Sequence, residues 1–268
     1  MDPELRTIME RVDAVERASF ISLYEDAPPE LNAGIYAEGQ LLAVWLGSYD
    51  DPGFSAIFDF DAAEDLDDVL ERVSAMLREA GARVISLDTH PDLGPQFDHE
   101  WFSARGFAPS YDEQIWWRPL ADFEPPPMPA GVVIERATPA DAETFARVLN
   151  EGFDAAPDAG LGPAYAAVIG KPGWLHYLAY VDGEPGAAAA LFIADGVADC
   201  FVASTRPAAR RRGAQTALIS RRLADGRAAG CDIATAQSVT DNASPRNFER
   251  HGFHPVYRRT IYARRLVE

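Results

Sequence analysis

The segment VASTRPAARRRGAQTALI, residues 202–219, concentrates residue types that suit anion chemistry. Arg210, Arg211 and Arg212 stand where the sequence predicts a helix to begin, and the positive end of a helix dipole disfavours each cation by roughly 0.3–1 kcal/mol. A bound anion would reverse that sign. Gly213 lets the main chain approach a ligand, and the unpaired N–H groups of a first helical turn point at whatever sits there. A phosphate-bearing ligand fits this arrangement. On local chemistry alone, a solvated basic turn in which Gly213 only shapes the helix entry fits equally well. Two other phosphate loops are excluded: RRRGAQ lacks the three glycines of GxGxxG and follows a run of strands rather than a βαβ strand, and no GK[ST] is present.

Other reactive side chains carry less. Cys200 and Cys231 are too few for a disulfide framework and point to a reducing compartment. Cys200 has no evident histidine partner and reads as a buried thiol. His251 and His254 lack metal-ligand spacing with other histidines, so packing or surface roles are expected and no metal is.

The elements around the arginine loop follow from period and turn chemistry. VVIERAT (132–138) reads as a strand, and PADAETFARVLNEGF opens with Pro139 and spaces Phe145, Val148, Leu149 and Phe153 as one helical face. A short helix over PAYAAVIG follows. WLHYLAYVDG, GAAAALFIADG and VADCFVAST then read as strands separated by Asp182-Gly183 and Asp195-Gly196 turns. A helix ending near Gly230, the strand CDIATAQSV, the short helix SPRNFERHG and the long strand FHPVYRRTIYARRL complete the half. The order predicts an α+β fold with a mixed, mainly antiparallel sheet flanked by helices.

The first half repeats this pattern. WFSARGFAPSYDEQIWWRPL (101–120) lies over NFERHGFHPVYRRTIYARRL (247–266) without a gap and matches it at eight of twenty positions. Phe102/Phe248, Gly106/Gly252, Tyr111/Tyr257 and Arg118/Arg264 are among the matches, so the halves are expected to be one fold twice. PLADFEPPPMPAG between them can sustain neither helix nor central strand. The predicted organisation is a domain over 1–120, a proline-rich linker over 121–130 and a domain over 131–268.

The chain has 268 residues and a formal charge of −18. Residues 1–130 carry 27 acidic against 8 basic side chains, whereas 131–268 carry 15 against 16. That balance argues against nucleic acid as a partner. No apolar run approaches the ~20 residues of a membrane span, and the N-terminus reads as a charged amphipathic helix rather than a signal peptide. A cytoplasmic protein, monomeric or homodimeric, is expected.

RRRGAQ at 210–215 resembles the R/Q-x-x-G-x-G/A pyrophosphate loop of the GNAT acetyltransferase superfamily, with Gln215 where Gly or Ala is usual. NASPRNFERHGF (242–253) is similar to the GNAT segment ending in E-x-x-G-F, and 131–266 follows the GNAT element order. The resemblance implies two tandem GNAT-like domains and acetyl-CoA as cofactor. Main-chain amides from Arg211 through Gly213, Ala214 and Gln215 to Thr216 would hold the pyrophosphate, with Arg210, Arg211 and Arg212 near the phosphates. The strand through Ala203, Ser204 and Thr205 would splay from CDIATAQSV and bind the pantetheine arm. Asn242 and Asn247 resemble polar residues near the thiol end, although Asn242 reads equally as a helix N-cap.

Acyl transfer to an amine needs a neutral nucleophile. Members with a known base commonly carry a carboxylate about eleven residues before the loop, which here is Asp199, sharing strand parity with Phe201, Ala203 and Thr205. The usual tyrosine acid is replaced by Phe248, leaving Tyr257 or water as donor. In the first half, Asp61, Glu64 and Asp65 lie where the phosphate loop should be, followed by Asp67 and Asp68; such a cluster repels pyrophosphate. That copy is expected to be degenerate. The implied activity is acetyl-CoA-dependent N-acetylation of a primary amine on a small molecule; a non-catalytic acyl-CoA-binding module and a protein or peptide N-acetyltransferase are the alternatives.

Overall fold

Turn chemistry acts where the sequence places it. Asp182 and Asp195 adopt left-handed conformations (φ 53° and 47°), Gly183 and Gly196 follow at 88° and 75°, and each Asp-Gly pair closes a tight hairpin. The structure, a computed structural model, describes residues 2–47, 49–156, 159–241 and 244–266. Its helices are α1 (Pro3–Glu25), α2 (Leu66–Glu79), α3 (His99–Ala104), α4 (Ala142–Gly152), α5 (Leu161–Ala167), α6 (Ala214–Ala228) and α7 (Ser244–Arg250). Its strands are β1 (Ala33–Glu38), β2 (Leu41–Leu46), β3 (Ser55–Phe58), β4 (Val84–Asp88), β5 (Ala108–Pro119), β6 (Val132–Arg136), β7 (Trp174–Val181), β8 (Glu184–Ala194), β9 (Val197–Asp199), β10 (Ala203–Thr205), β11 (Ile233–Val239) and β12 (His254–Arg265).

The compact units are not the linear domains expected from the proline-rich linker. The larger comprises Met1–Leu23 and Ile115–Val256, the smaller Tyr24–Gln114 and Tyr257–Glu268. In the larger unit the strand order is β5-β11-β9-β8-β7-β6, with β10 on β8. The meander pairs are antiparallel and β9–β11 is parallel. In the smaller unit the order β1-β2-β3-β4-β12 likewise ends its antiparallel meander with one parallel pair, β3–β4.

The repeat is therefore real, but each unit takes its last strand from the other half of the chain. In the larger unit the Leu120 N–H donates to Asp232 O at 2.8 Å, Trp116 stacks near Phe248 and Arg118 Nη1 donates to His251 O. In the smaller unit the Leu266 N–H donates to Arg83 O at 2.8 Å, Tyr262 stacks on Phe102 and Arg264 Nη1 donates to Arg105 O. These are the same contacts at repeat-equivalent positions.

Helix α1 also departs from the linear division, because its apolar side chains find their partners in the larger unit. Phe20 meets Phe201 edge-on with ring centroids 5.3 Å apart, and Trp174 Nε1 donates to Ser22 Oγ at 2.9 Å. In the sheet, β8 contributes Ala187 to Ala190, all fully buried. These small side chains let α6 lie close to the sheet: a Cβ on Gly226 would stand 2.5 Å from the Ala198 Cβ.

Two local expectations change. The single strand over 197–205 is two, β9 and β10, and the helix expected over RRGAQTALISRRLADGRAA, from Arg211, starts at Ala214, with Gly213 as its N-cap at φ 86°.

Candidate active site

The cleft of the larger unit is built by a strand that changes partners. In β9, Asp199 faces Phe192 of β8 on one side and Thr235 of β11 on the other. In β10, Ala203 faces Ala189 of β8. Three residues, Cys200 to Val202, thus oppose two on β8, which is a β-bulge. The Cys200 N–H makes the last bond to β11, at 2.8 Å to Thr235 O, and the Phe201 N–H folds back to Asp199 O at 2.8 Å. Beyond it β10 pairs only with β8 and diverges from β11.

The arginine loop closes one end of this opening. Pro207–Ala209 forms a 3₁₀ turn, Arg211 is left-handed at φ 63°, and α6 begins without a side-chain cap. A non-glycine residue at positive φ is uncommon, and it sits here beside donors without intrahelical partners. Arg210 donates to Thr205 O and Gly152 O, both at 3.2 Å, and pairs with Asp154 at 3.2 Å. Among the described residues the Arg211 guanidinium has no such partner. A cleft of about 770 Å³ lies against these groups.

Most of the residues expected to hold cofactor meet there. Ala203, Ser204, Thr205, Arg210, Arg211, Gly213, Ala214, Gln215, Thr216 and Asn247 all line the cleft. Ser204 contributes main chain only, since its buried hydroxyl donates to Leu149 O at 3.1 Å. Arg212 does not line it; it turns to Asp182 and borders a separate depression. Asn242 lies outside the described residues. Phe153, Asp154, Ser244 and Arg250 line the cleft and were not anticipated. The basic character of Arg250 was the one available signal, because the others come from the ends of α4 and α7, whose placement no local pattern encodes.

Both expected catalytic residues are absent from the lining. Tyr257 belongs to the smaller unit, because β12 leaves the larger one after Val256. Asp199 is 1% exposed. The extra residue of the bulge breaks the parity that was to align its side chain with the cofactor-facing backbone of Ala203 and Thr205. Asp199 instead lies under α1, hydrogen-bonded by Ser19; burial, reinforced by the Glu16 carboxylate, pushes its carboxyl up to about 8, against the opposing pull of Ser19 and Arg222. Burial also raises the Cys200 thiol to about 11, so it is no nucleophile at neutral pH. Phe248 is buried against Trp116 and Phe253 and offers no proton. His251 is buried with Nδ1 on Asn247 O and Nε2 near Ser220 Oγ, a packing role.

The acidic counterpart in the smaller unit is satisfied internally. Asp65 caps α2 by accepting from the Asp68 N–H at 3.1 Å, while Asp67 and Asp68 pair with Arg105 and Arg72.

No protein-family model matches the sequence. No curated protein matches it either. Solved structures do resemble it in fold. A GCN5-related N-acetyltransferase from Kribbella flavida aligns with a TM-score of 0.65 at 17% identity, covering 94% of this chain and 95% of that one. A GCN5-related N-acetyltransferase from Sphaerobacter thermophilus aligns at 0.61 and 14% identity, covering 88% and 83%. A tandem GNAT protein from the clavulanic acid biosynthesis pathway aligns at 0.58 and 12% identity, covering 90% and 85%. The fold of this chain is the tandem GNAT fold.

Proposed function

We propose that the protein is an acetyl-CoA-dependent N-acetyltransferase that acylates a primary amine of a small molecule, with its active site in the larger unit. The observation that carries this reading is that one cleft joins the free edge of β10 to the uncapped start of α6 and to Arg210 and Arg211. Acetyl-CoA would supply the activated acyl thioester. Main-chain N–H groups from Arg211 to Thr216 would hold its pyrophosphate, Arg211 would give an uncommitted charge, and Arg210 would exchange Asp154 for phosphate. The edge of β10 at Ala203 and Thr205 would bind the pantetheine arm as a strand binds its neighbour, beside Asn247. Asp199 keeps the sequence position of the base in this reading, although its side chain does not line the cleft. Among the described residues that line the cleft no side chain stands in for the missing tyrosine, so a thiolate of pKa near 8.5 would take its proton from water.

Calorimetric titration with acetyl-CoA tests the binding half. Arg211→Glu should weaken the affinity by about tenfold or more with an unchanged melting temperature, because Arg211 is exposed and holds no structural partner among the described residues. Gly213 is the poorer target, since any Cβ there would stand 2.7 Å from the Pro129 Cβ. Undiminished binding by Arg211→Glu would sink the assignment of the loop.

The sealed Asp199 and apolar Phe248 favour a second reading, an acyl-CoA-binding module without turnover. Release of free thiol with any member of a panel of small amines, peptide N-termini and lysine peptides excludes it. The member that turns over identifies the acceptor class.

A further inference from the structure

Arg222 is the largest fully enclosed side chain among the described residues, 1% exposed, on the inner face of α6. Burying a guanidinium is costly unless its donors are used. Its Nε donates to Leu218 O at 3.3 Å within its own helix, and its Nη1 reaches Ala190 O at 3.3 Å and Val202 O at 3.5 Å. Val202 is the last residue of the bulge, and Ala190 is one of the two β8 residues opposite it. The Ala190 N–H donates to Val202 O at 2.9 Å, while the Ala190 carbonyl is met by the guanidinium. Its charge acts on three buried titratable groups, Asp199 of β9, Cys200 and His251, and Asp199 in turn faces the buried Glu16 of α1.

We propose that Arg222 is a positioning residue that clamps the Cys200–Val202 bulge, and thereby holds β10 away from β11 so that its edge stays open to the acyl-pantetheine arm. This rests on the acetyl-CoA reading for the identity of the ligand, but not for the clamp itself. In a regular ladder the strand would continue beside β11 and close the opening; the bulge turns it aside. A bulge leaves ladder groups misaligned, and here Arg222 Nη1 alone spans the two carbonyls, while Nη2 makes no hydrogen bond among the described residues. The buried cation also favours the charged form of Asp199, against burial and the Glu16 carboxylate.

The test compares wild type with Arg222→Met and Arg222→Lys. Hydrogen–deuterium exchange without cofactor reads the clamp directly: the Met variant should lose protection at the amides of residues 200–205 and keep it elsewhere in the sheet. Titration should then show acetyl-CoA affinity reduced by about tenfold or more, with the Lys variant intermediate because it retains the charge and one donor. If the Met variant is poorly folded, Glu16→Gln/Arg222→Met restores the charge balance without restoring the clamp, and should fold yet keep the local exchange defect. Protection lost evenly over the sheet, or wild-type exchange at 200–205 in a folded variant, overturns the proposal. Wild-type protein that fails to bind acetyl-CoA while Arg222→Met shows the local exchange defect would overturn the ligand assignment alone and leave the clamp standing.

Discussion

Asp199 has the position expected of a general base and the surroundings of a core residue. Its carboxyl titrates near 8, chiefly because burial penalises the anion, whereas an unfolded aspartate titrates near 3.8. The folded state therefore binds the proton more tightly, and stability falls as pH rises from about 4 to about 8. Melting curves between pH 5 and 9 should show that decline in wild type and a flatter profile in Asp199→Asn, a difference on the order of a few kcal/mol at the alkaline end. An identical slope in both proteins would mean that Asp199 is ionised in the fold at little cost. The loop at 210–216 as a cleft-lining element was legible because charge, glycine and helix start are adjacent in the chain. The burial of Asp199 was not, since the side chains that cover it, Glu16, Ser19 and Phe20, lie some 180 positions upstream.

Helix α6 sets how well the cleft-forming strands are held. A glycine inside a helix normally costs about 1 kcal/mol relative to alanine, so Gly226→Ala on an open helix would stabilise. Here the added Cβ would meet the Ala198 Cβ at 2.5 Å. Overpacking of that kind costs about 1–3 kcal/mol and outweighs the propensity gain. Gly226→Ala should therefore lower the melting temperature, and a rise would show that α6 has room to shift. Against the same sheet, Phe20→Ala removes the edge contact with Phe201 and should cost about 3 kcal/mol in denaturant unfolding. Strand and helix identities over 132–265 were legible from period and Asp-Gly turns. The break between β9 and β10 was not, because VADCFVAST alternates well enough for one strand, and a single inserted residue shows only in the pairing with β8.

The proline-rich segment and the repeat both suggest a chain cut once, yet the packing crosses that cut twice. Residues 131–268 alone lack α1, which covers Phe201 and Trp174, and the end of β5, which borders β11. They retain instead Tyr257 to Arg265, whose partner β4 lies in the first half. Repeat matching reveals that two copies exist but cannot tell which copy's last strand completes which sheet, since Leu120 and Leu266 are identical and make equivalent bonds. The isolated segment 131–268 should therefore show no cooperative melt as a monomer and no acetyl-CoA binding, and co-expression with 1–130 should restore both. A sharp monomeric transition of 131–268 alone would mean that its own last strand turns back onto β11, and that the exchange between halves contributes little to folding. Under the expected outcome the acidic first half matters because its helix and strand complete the unit that carries the cleft, whatever its own carboxylates at 61–68, of which Asp67 and Asp68 pair with Arg105 and Arg72, can bind.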